Sequence, residues 1–234
     1  MARAGVLKGT MATETKQKTP PAPPEATRSR EERIAAWLKA NQKLVAVAGS
    51  GILLVVLVTW FLSASAARKE AFAQAQLEQA WALQDAGNLP QSAAELQRIA
   101  AGYGGTNAAL EARLSLNQTR LTMGQAQLAI DDLRPFVGSG PPSRFLVRGY
   151  TLLGAAQENL TLFSEAAISY ARAAEVAEMD FQKADALLAA ARAHVAAGQR
   201  DQALAALRRV VDEFSETAAG PVAELRLAEL AAGA

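Results

Sequence analysis

Two patterns of apolar residues divide the chain. From Leu44 to Leu62 the sequence LVAVAGSGILLVVLVTWFL carries no charge over nineteen residues and is apolar on every face of a helix. At about 1.5 Å rise per residue such a helix covers roughly the 30 Å hydrocarbon core of a bilayer. Beyond Arg68 and Lys69 the apolar positions instead recur at helical spacing on one face, broken at intervals by glycine. This second pattern predicts a series of amphipathic helices that bury one stripe each.

The second pattern has a period. Aligning AGNLPQSAAELQRI from Ala86, MGQAQLAIDDLRPF from Met123, LTLFSEAAISYARA from Leu160 and AGQRDQALAALRRV from Ala197 brings Gly87, Gly124, Thr161 and Gly198 into one register. Ser92, Ala129, Ala166 and Ala203 form a second, Leu96, Leu133, Tyr170 and Leu207 a third, and Ile99, Phe136, Ala173 and Val210 a fourth, every step being 37 residues. Four parallel series at one spacing mark an internal repeat. A glycine ends one helix in the left-handed conformation. A small side chain then lets the next helix approach closely, and a large apolar one fills the groove between them. Each repeat is an antiparallel helix pair that buries its apolar face only by stacking on its neighbours. The segment GPVAELRLAELA from Gly220 predicts a closing cap helix with Pro221 in its first turn.

The remainder of the chain sorts around these two patterns. Residues 1–28 hold Thr19-Pro20-Pro21-Ala22-Pro23-Pro24 among polar neighbours and predict a disordered tail. Ser29 then reads as the N-cap of a basic juxtamembrane helix over 29–43, with Glu31 and Glu32 in its first turn. The apolar run defines a transmembrane helix over 44–65, and residues 68–234 form the repeat domain. The fold class is therefore all-α: one N-terminal transmembrane helix followed by an α-solenoid of about four helix pairs and a cap.

Charge is split between these parts. Residues 1–43 hold nine Lys/Arg and four Asp/Glu, whereas 44–234 hold fifteen and nineteen. With Arg28, Arg30, Arg33, Lys39 and Lys43 ahead of the apolar run, the positive-inside rule puts the N-terminus in the cytoplasm and the repeats outside. Trp37 and Trp60 fall where amphipathic rings meet the two interfaces. A cleavage site of signal-peptide type is present at Ala64-Ser65-Ala66. Forty-three preceding residues and a run of nineteen exceed a secretory leader, so an uncleaved anchor is the expected state.

The chemistry is sparse. The chain has no cysteine, which excludes disulfides, thiolate zinc sites and a thiol nucleophile. Its one histidine, His194, sits in ARAHVAAGQ without a nucleophile pattern around it. Asp131/Asp132 and Asp212/Glu213 are adjacent helical residues that point apart and read as solvated faces. Gly138–Gly140 lies beside prolines between two helices and reads as a linker, not a phosphate loop. Asn117-Gln-Thr119 and Asn159-Leu-Thr161 fit a glycosylation pattern but fall in or at the end of helices. No catalytic or metal site and no cofactor are expected.

Leu153-Gly154, Ala166, Tyr170 and Ala173 carry a resemblance to the tetratricopeptide repeat family, extending over roughly residues 71–217. The 37-residue step exceeds that family's 34, which places the extra residues in connections such as Gly102–Thr106 and Gly138–Pro142. The resemblance implies a concave groove lined by the first helix of each pair, at Gln74, Leu77, Trp81, Gln84; Glu111, Leu114, Gln118, Leu121; Arg148, Thr151, Ala155, Glu158; and Asp185, Leu188, Arg192, Val195. Of these Leu77, Trp81, Gln118, Leu121, Arg148, Glu158 and Arg192 are the expected protein-binding residues, with Trp81, Arg148 and Arg192 as anchors, since aromatic and arginine side chains dominate interface energies. Trp81 packing merely inside the first repeat is the alternative. The basic-plus-asparagine clamp that some members use on C-terminal carboxylates has no counterpart here.

With the basic tail, WLKANQKLVAVAGSGILL and YGGTNAALEARLSLNQTRL, the arrangement also resembles the YfgM-like family of bacterial inner-membrane proteins. That resemblance implies a single-pass inner-membrane protein with a periplasmic repeat domain. It further implies an adaptor that attends the Sec translocon and partners periplasmic chaperones or emerging chains, with no nucleic acid and no small-molecule substrate. A structural scaffold for another envelope assembly complex is the alternative function.

Overall fold

The computed structural model describes residues 29–232, so the expected tail over 1–28 lies outside the described residues. Every described element is a helix. The described residues fall into two units that divide after Trp60.

In the first unit α1 spans Arg30–Ala40 and begins as expected. Ser29 Oγ accepts from the Glu32 amide at 3.2 Å while Glu32 Oε2 accepts from the Ser29 amide at 3.2 Å, a reciprocal capping box. The expected helix over 29–43 ends early: Asn41 leaves helical geometry and its Nδ2 donates to the Trp37 carbonyl at 2.9 Å. Helix α2 then runs unbroken from Gln42 to Asp85, so the apolar run and the first helix of the first repeat form one element. Among the described residues α2 alone is long and apolar enough to cross a membrane. No residue from 44 to 62 is buried. Its hydroxyls turn inward, Ser50 Oγ donating to the Ala46 carbonyl at 2.8 Å and Thr59 Oγ1 to the Val55 carbonyl at 2.9 Å. Those bonds remove the polar groups from the apolar surface.

The second unit contains the repeats. Residues 71–85 of α2 pair with α3 (Leu89–Gly102), α4 (Asn107–Thr122) with α5 (Ala126–Gly138), α6 (Ser143–Asn159) with α7 (Phe163–Val176), and α8 (Asp180–Ala196) with α9 (Arg200–Phe214). The turns inside the pairs are 86–88, 123–125, 160–162 and 197–199, each three residues and 37 apart. At all four the last turn closes with the same two bonds. In the second pair Gly124 N donates to the Leu121 carbonyl at 3.0 Å and Gln125 N to the Arg120 carbonyl at 2.8 Å. This double closure needs a left-handed residue, and Gly87, Gly124, Thr161 and Gly198 have φ of 77°, 74°, 58° and 73°.

The other three registers form the core. Ser92, Ala129, Ala166 and Ala203 have no exposed surface. Leu96, Leu133, Tyr170 and Leu207 fill the space between the helices of each pair, and Ile99, Phe136, Ala173 and Val210 are equally enclosed. Gly154 faces Tyr170 so closely that a Cβ there would stand 2.7 Å from the ring edge. The cap α10 spans Ala219–Ala232, starting two residues before the predicted Pro221. Residue 220 must be glycine there, because a Cβ at this position would stand 2.2 Å from the Ser215 carbonyl oxygen.

Candidate functional site

Four successive first helices, residues 71–85 of α2 and then α4, α6 and α8, carry the residues the register assigns to a groove. Leu77 is the correction among them. It has no exposed surface and packs with Ala80, Leu96, Ile99 and Ala112, so it holds the first pair together and offers a partner nothing. Leu114 is enclosed in the same way in the next repeat. Leu121 is half-buried against that second cluster.

Trp81, Glu111, Gln118 and Arg148 do come together. With Gln84, Asp85 and Ser115 they line a hollow of about 140 Å³. Trp81, Glu111, Gln74, Arg144 and Phe145 line a second hollow of about 340 Å³ beside it. Trp81 is half-buried and its indole N–H donates to Ser115 Oγ at 3.1 Å. The ring both packs against the cluster of the first pair and α4 and borders the two hollows. Arg144 stacks over Phe145 at 4.5 Å and donates to Asn107 Oδ1 at 2.6 Å.

Each of the expected arginine anchors is engaged by a carboxylate on the preceding first helix. Arg148 pairs with Glu111 on the preceding first helix. One repeat on, Arg192 pairs with Glu158 at 2.9 Å, and Glu158 also accepts from the Tyr170 hydroxyl at 2.8 Å. The rungs of this ladder join α4 to α6 and α6 to α8. Burial, and then the Glu158 hydrogen bond, push the Tyr170 hydroxyl well above its ordinary range, and the same carboxylate raises the Arg192 guanidinium. The Arg148 and Arg192 side chains are 40% and 64% exposed, so each rung contributes at most about 1 kcal/mol to stability. A partner carboxylate approaching Arg148 or Arg192 must displace an internal one.

Two features escape the register. Asp132, expected on a solvated face, is held by Arg113 Nε at 3.0 Å and by Asn117 Nδ2 at 2.6 Å, with Arg120 at 3.8 Å. Asn117 is fully buried in this cluster, which closes that glycosylation pattern to modification. The other feature is a groove of about 750 Å³ between α8, α9 and α10. Asp185, Leu188, Arg192 and Val195 line it from α8, and Val222, Arg226, Glu229 and Leu230 from the cap. The only sequence signal for the cap's share is the spacing of Val222, Arg226 and Leu230 on one helical face. His194 is not among the residues lining this groove; its Nδ1 lies 2.7 Å from Gln199 Oε1 at the α8–α9 turn.

Paired helices stacked in register, with a left-handed residue at each internal turn, define an α-solenoid of tetratricopeptide type. Comparison with solved structures agrees on the fold. The chain is similar to the crystal structure of nearly identical TPR-like repeats in a Podosopora anserina chain described as a kinesin light chain, with a TM-score of 0.56 at 20% identity over 69% of this chain and 86% of that one. A single-substitution variant of that protein gives the same score and identity over 69% and 85%. No family model and no curated protein matches the sequence.

Proposed function

We propose that the protein is a membrane-anchored, protein-binding adaptor of the bacterial cell envelope. Residues 44–65 form its anchor and the repeats lie on the periplasmic side, beside the Sec translocon, where they contact folding factors or emerging chains. The observation that carries the adaptor reading is the open space along the first helices, where Trp81, Gln118 and Arg148 converge from three successive repeats. An extended segment or a helix laid across those helices meets an aromatic face, amides and an arginine within one continuous surface. The uncharged run in α2 and the basic residues ahead of it support the anchor and its orientation. The translocon as neighbour rests on the resemblance of the tail, anchor and second repeat to the YfgM-like family.

The test is recovery of the full-length protein from native membranes in mild detergent, with co-purifying proteins quantified by mass spectrometry. A Trp81→Ala/Arg148→Ala/Arg192→Ala variant with unchanged helical content is run beside it. Translocon subunits recovered with both proteins, and folding factors lost only with the variant, support the adaptor and its surface. Recovery of another envelope complex replaces the translocon by that assembly. Equal recovery of every partner with both proteins removes the surface from the reading.

A further inference from the structure

The groove between α8 and the cap differs in kind from the hollows around Trp81. Its floor is apolar, made by Ala189, Ala191 and the buried Leu207, and its walls add Leu188, Val195, Val222 and Leu230. Val195 and Val222 are each 46% exposed, so the apolar surface is open to a visitor. At about 750 Å³ the space falls within the roughly 300–1,000 Å³ of sites that enclose a drug-sized ligand. It is, however, a trough between two helices and not a closed chamber, which suits a few side chains presented in a row.

Its charges decide what can enter. Arg226 is held by Glu229 at 2.8 Å and Arg192 by Glu158 at 2.9 Å. Asp185 is different. It is exposed on the rim one turn from Leu188, and among the described residues no cation pairs with it. Lys183, two residues away, is taken by Asp180 at 3.1 Å. The trough therefore presents an apolar lining with a single uncompensated carboxylate at its α8 end.

Resting on the adaptor reading, we infer that this trough is the docking site for an amphipathic helix of a partner protein. That helix carries aliphatic side chains one turn apart and, a turn earlier, a lysine or arginine that pairs with Asp185. The aliphatic pair removes the Leu188, Val195, Val222 and Leu230 surface from water, which supplies the affinity. The cation fixes direction and register, because only one orientation of the helix brings it to Asp185. An acidic or uncharged amphipathic helix meets the same apolar wall and gains no such pairing.

A pair of fluorescent helical peptides tests this against the full-length protein in lipid nanodiscs. Both place leucines one turn apart, and one carries lysine where the other carries glutamate, a turn before the first leucine. Fluorescence anisotropy is expected to show the lysine peptide binding about tenfold more tightly. Asp185→Lys is expected to reverse that preference, while Val222→Asp weakens both peptides, with thermal unfolding unchanged in both variants. Leu188→Ala, which trims a side chain packed on the core, is expected to weaken both peptides as well. Equal affinity for the two peptides, or binding indifferent to Val222→Asp, overturns the inference. So does a dimer detected by light scattering that Val222→Asp dissolves, which assigns the trough to a second copy of the chain. Because Arg192 borders the trough as well, a Trp81→Ala/Arg148→Ala variant, which leaves the trough intact, separates the two readings. Folding factors lost with it while peptide binding is unchanged are assigned to the Trp81 surface. Folding factors retained with it while the lysine peptide still binds leave the trough standing without that surface.

Discussion

The repeat is enforced one residue at a time, and the exception to a register is its best probe. Three of the four internal turns have glycine at the left-handed position and the remaining one has Thr161, at φ 58°. A β-branched residue there brings its Cβ against the following carbonyl, at a cost of roughly 1–2 kcal/mol, while glycine pays only the entropy of a freer unfolded chain. Thr161→Gly is accordingly expected to stabilise the repeats by about 1 kcal/mol in chemical denaturation, and Gly124→Ala to destabilise them by a similar amount. Tyr170 gives a second residue-scale consequence. Its hydroxyl is raised above the ordinary 10.0 by burial and by donation to Glu158. A raised folded value means that the folded state keeps a proton the unfolded chain gives up. The contribution is complete below pH 10 and is lost as pH rises from there toward the folded value. Unfolding free energy is therefore expected to fall above about pH 10 and to fall less steeply in Tyr170→Phe. A pH-independent difference between the two proteins up to about pH 11 would show that ionisation of this hydroxyl is not coupled to folding.

Between elements, the contacts that matter are made by polar residues that look alike in the sequence. Glu70, in α2, accepts from the amides of Asn107 and Ala108 at 2.8 Å each, and Thr106 Oγ1 accepts from Ala109 N at 3.1 Å. Three of the unpaired donors at the start of α4 are met this way, and a carboxylate at a helix N-terminus is further favoured by the helix dipole. Removing it in Glu70→Ala is expected to cost about 1 kcal/mol and to speed hydrogen exchange at Asn107 and Ala108 before any other amide of α4. The four registers were legible in the sequence because each depends on local geometry repeated at a fixed step. The turn needs a positive φ, the close approach a small side chain, and the groove a large one. Glu70 at α4 and Asp132 among Arg113, Asn117 and Arg120 were not legible. Each depends on which of several similar charged residues meets a distant helix, and no spacing within one helix encodes that. Leu77 failed for a related reason. Its register position faces the groove in a regular solenoid, but here its aliphatic side chain turns to the contact between the first pair and α4, where Ala108 and Ala112 leave room.

At the scale of the whole molecule the repeats leave the run from Leu44 to Leu62 unaccounted for, since none of its residues is buried. Leu53 is 59% exposed, Trp60 67% and Phe61 67%, and an apolar surface of this length left in water would drive aggregation. The proposed bilayer anchor would account for that surface, and by the positive-inside rule the nine basic residues over 1–43 would set its direction. Because the chain has no cysteine, single cysteines report the direction without background. Ala26→Cys lies ahead of the run in the sequence, and Ala205→Cys sits on the exposed face of α9. In spheroplasts a membrane-impermeant maleimide is expected to label Ala205→Cys at once and Ala26→Cys only after lysis, with both proteins remaining in the carbonate-washed membrane fraction. The reverse labelling order would place the repeats in the cytoplasm, away from folding factors outside the membrane. Release of both proteins into the carbonate wash would mean that the run is covered by another protein and not by lipid. Replacing Leu53 and Val56 by arginine separates these cases further. Each charge at the centre of a spanning helix costs about 2.5–3.5 kcal/mol, so the doubly charged run should lose the membrane while the helix pairs from residue 71 onward keep their thermal unfolding.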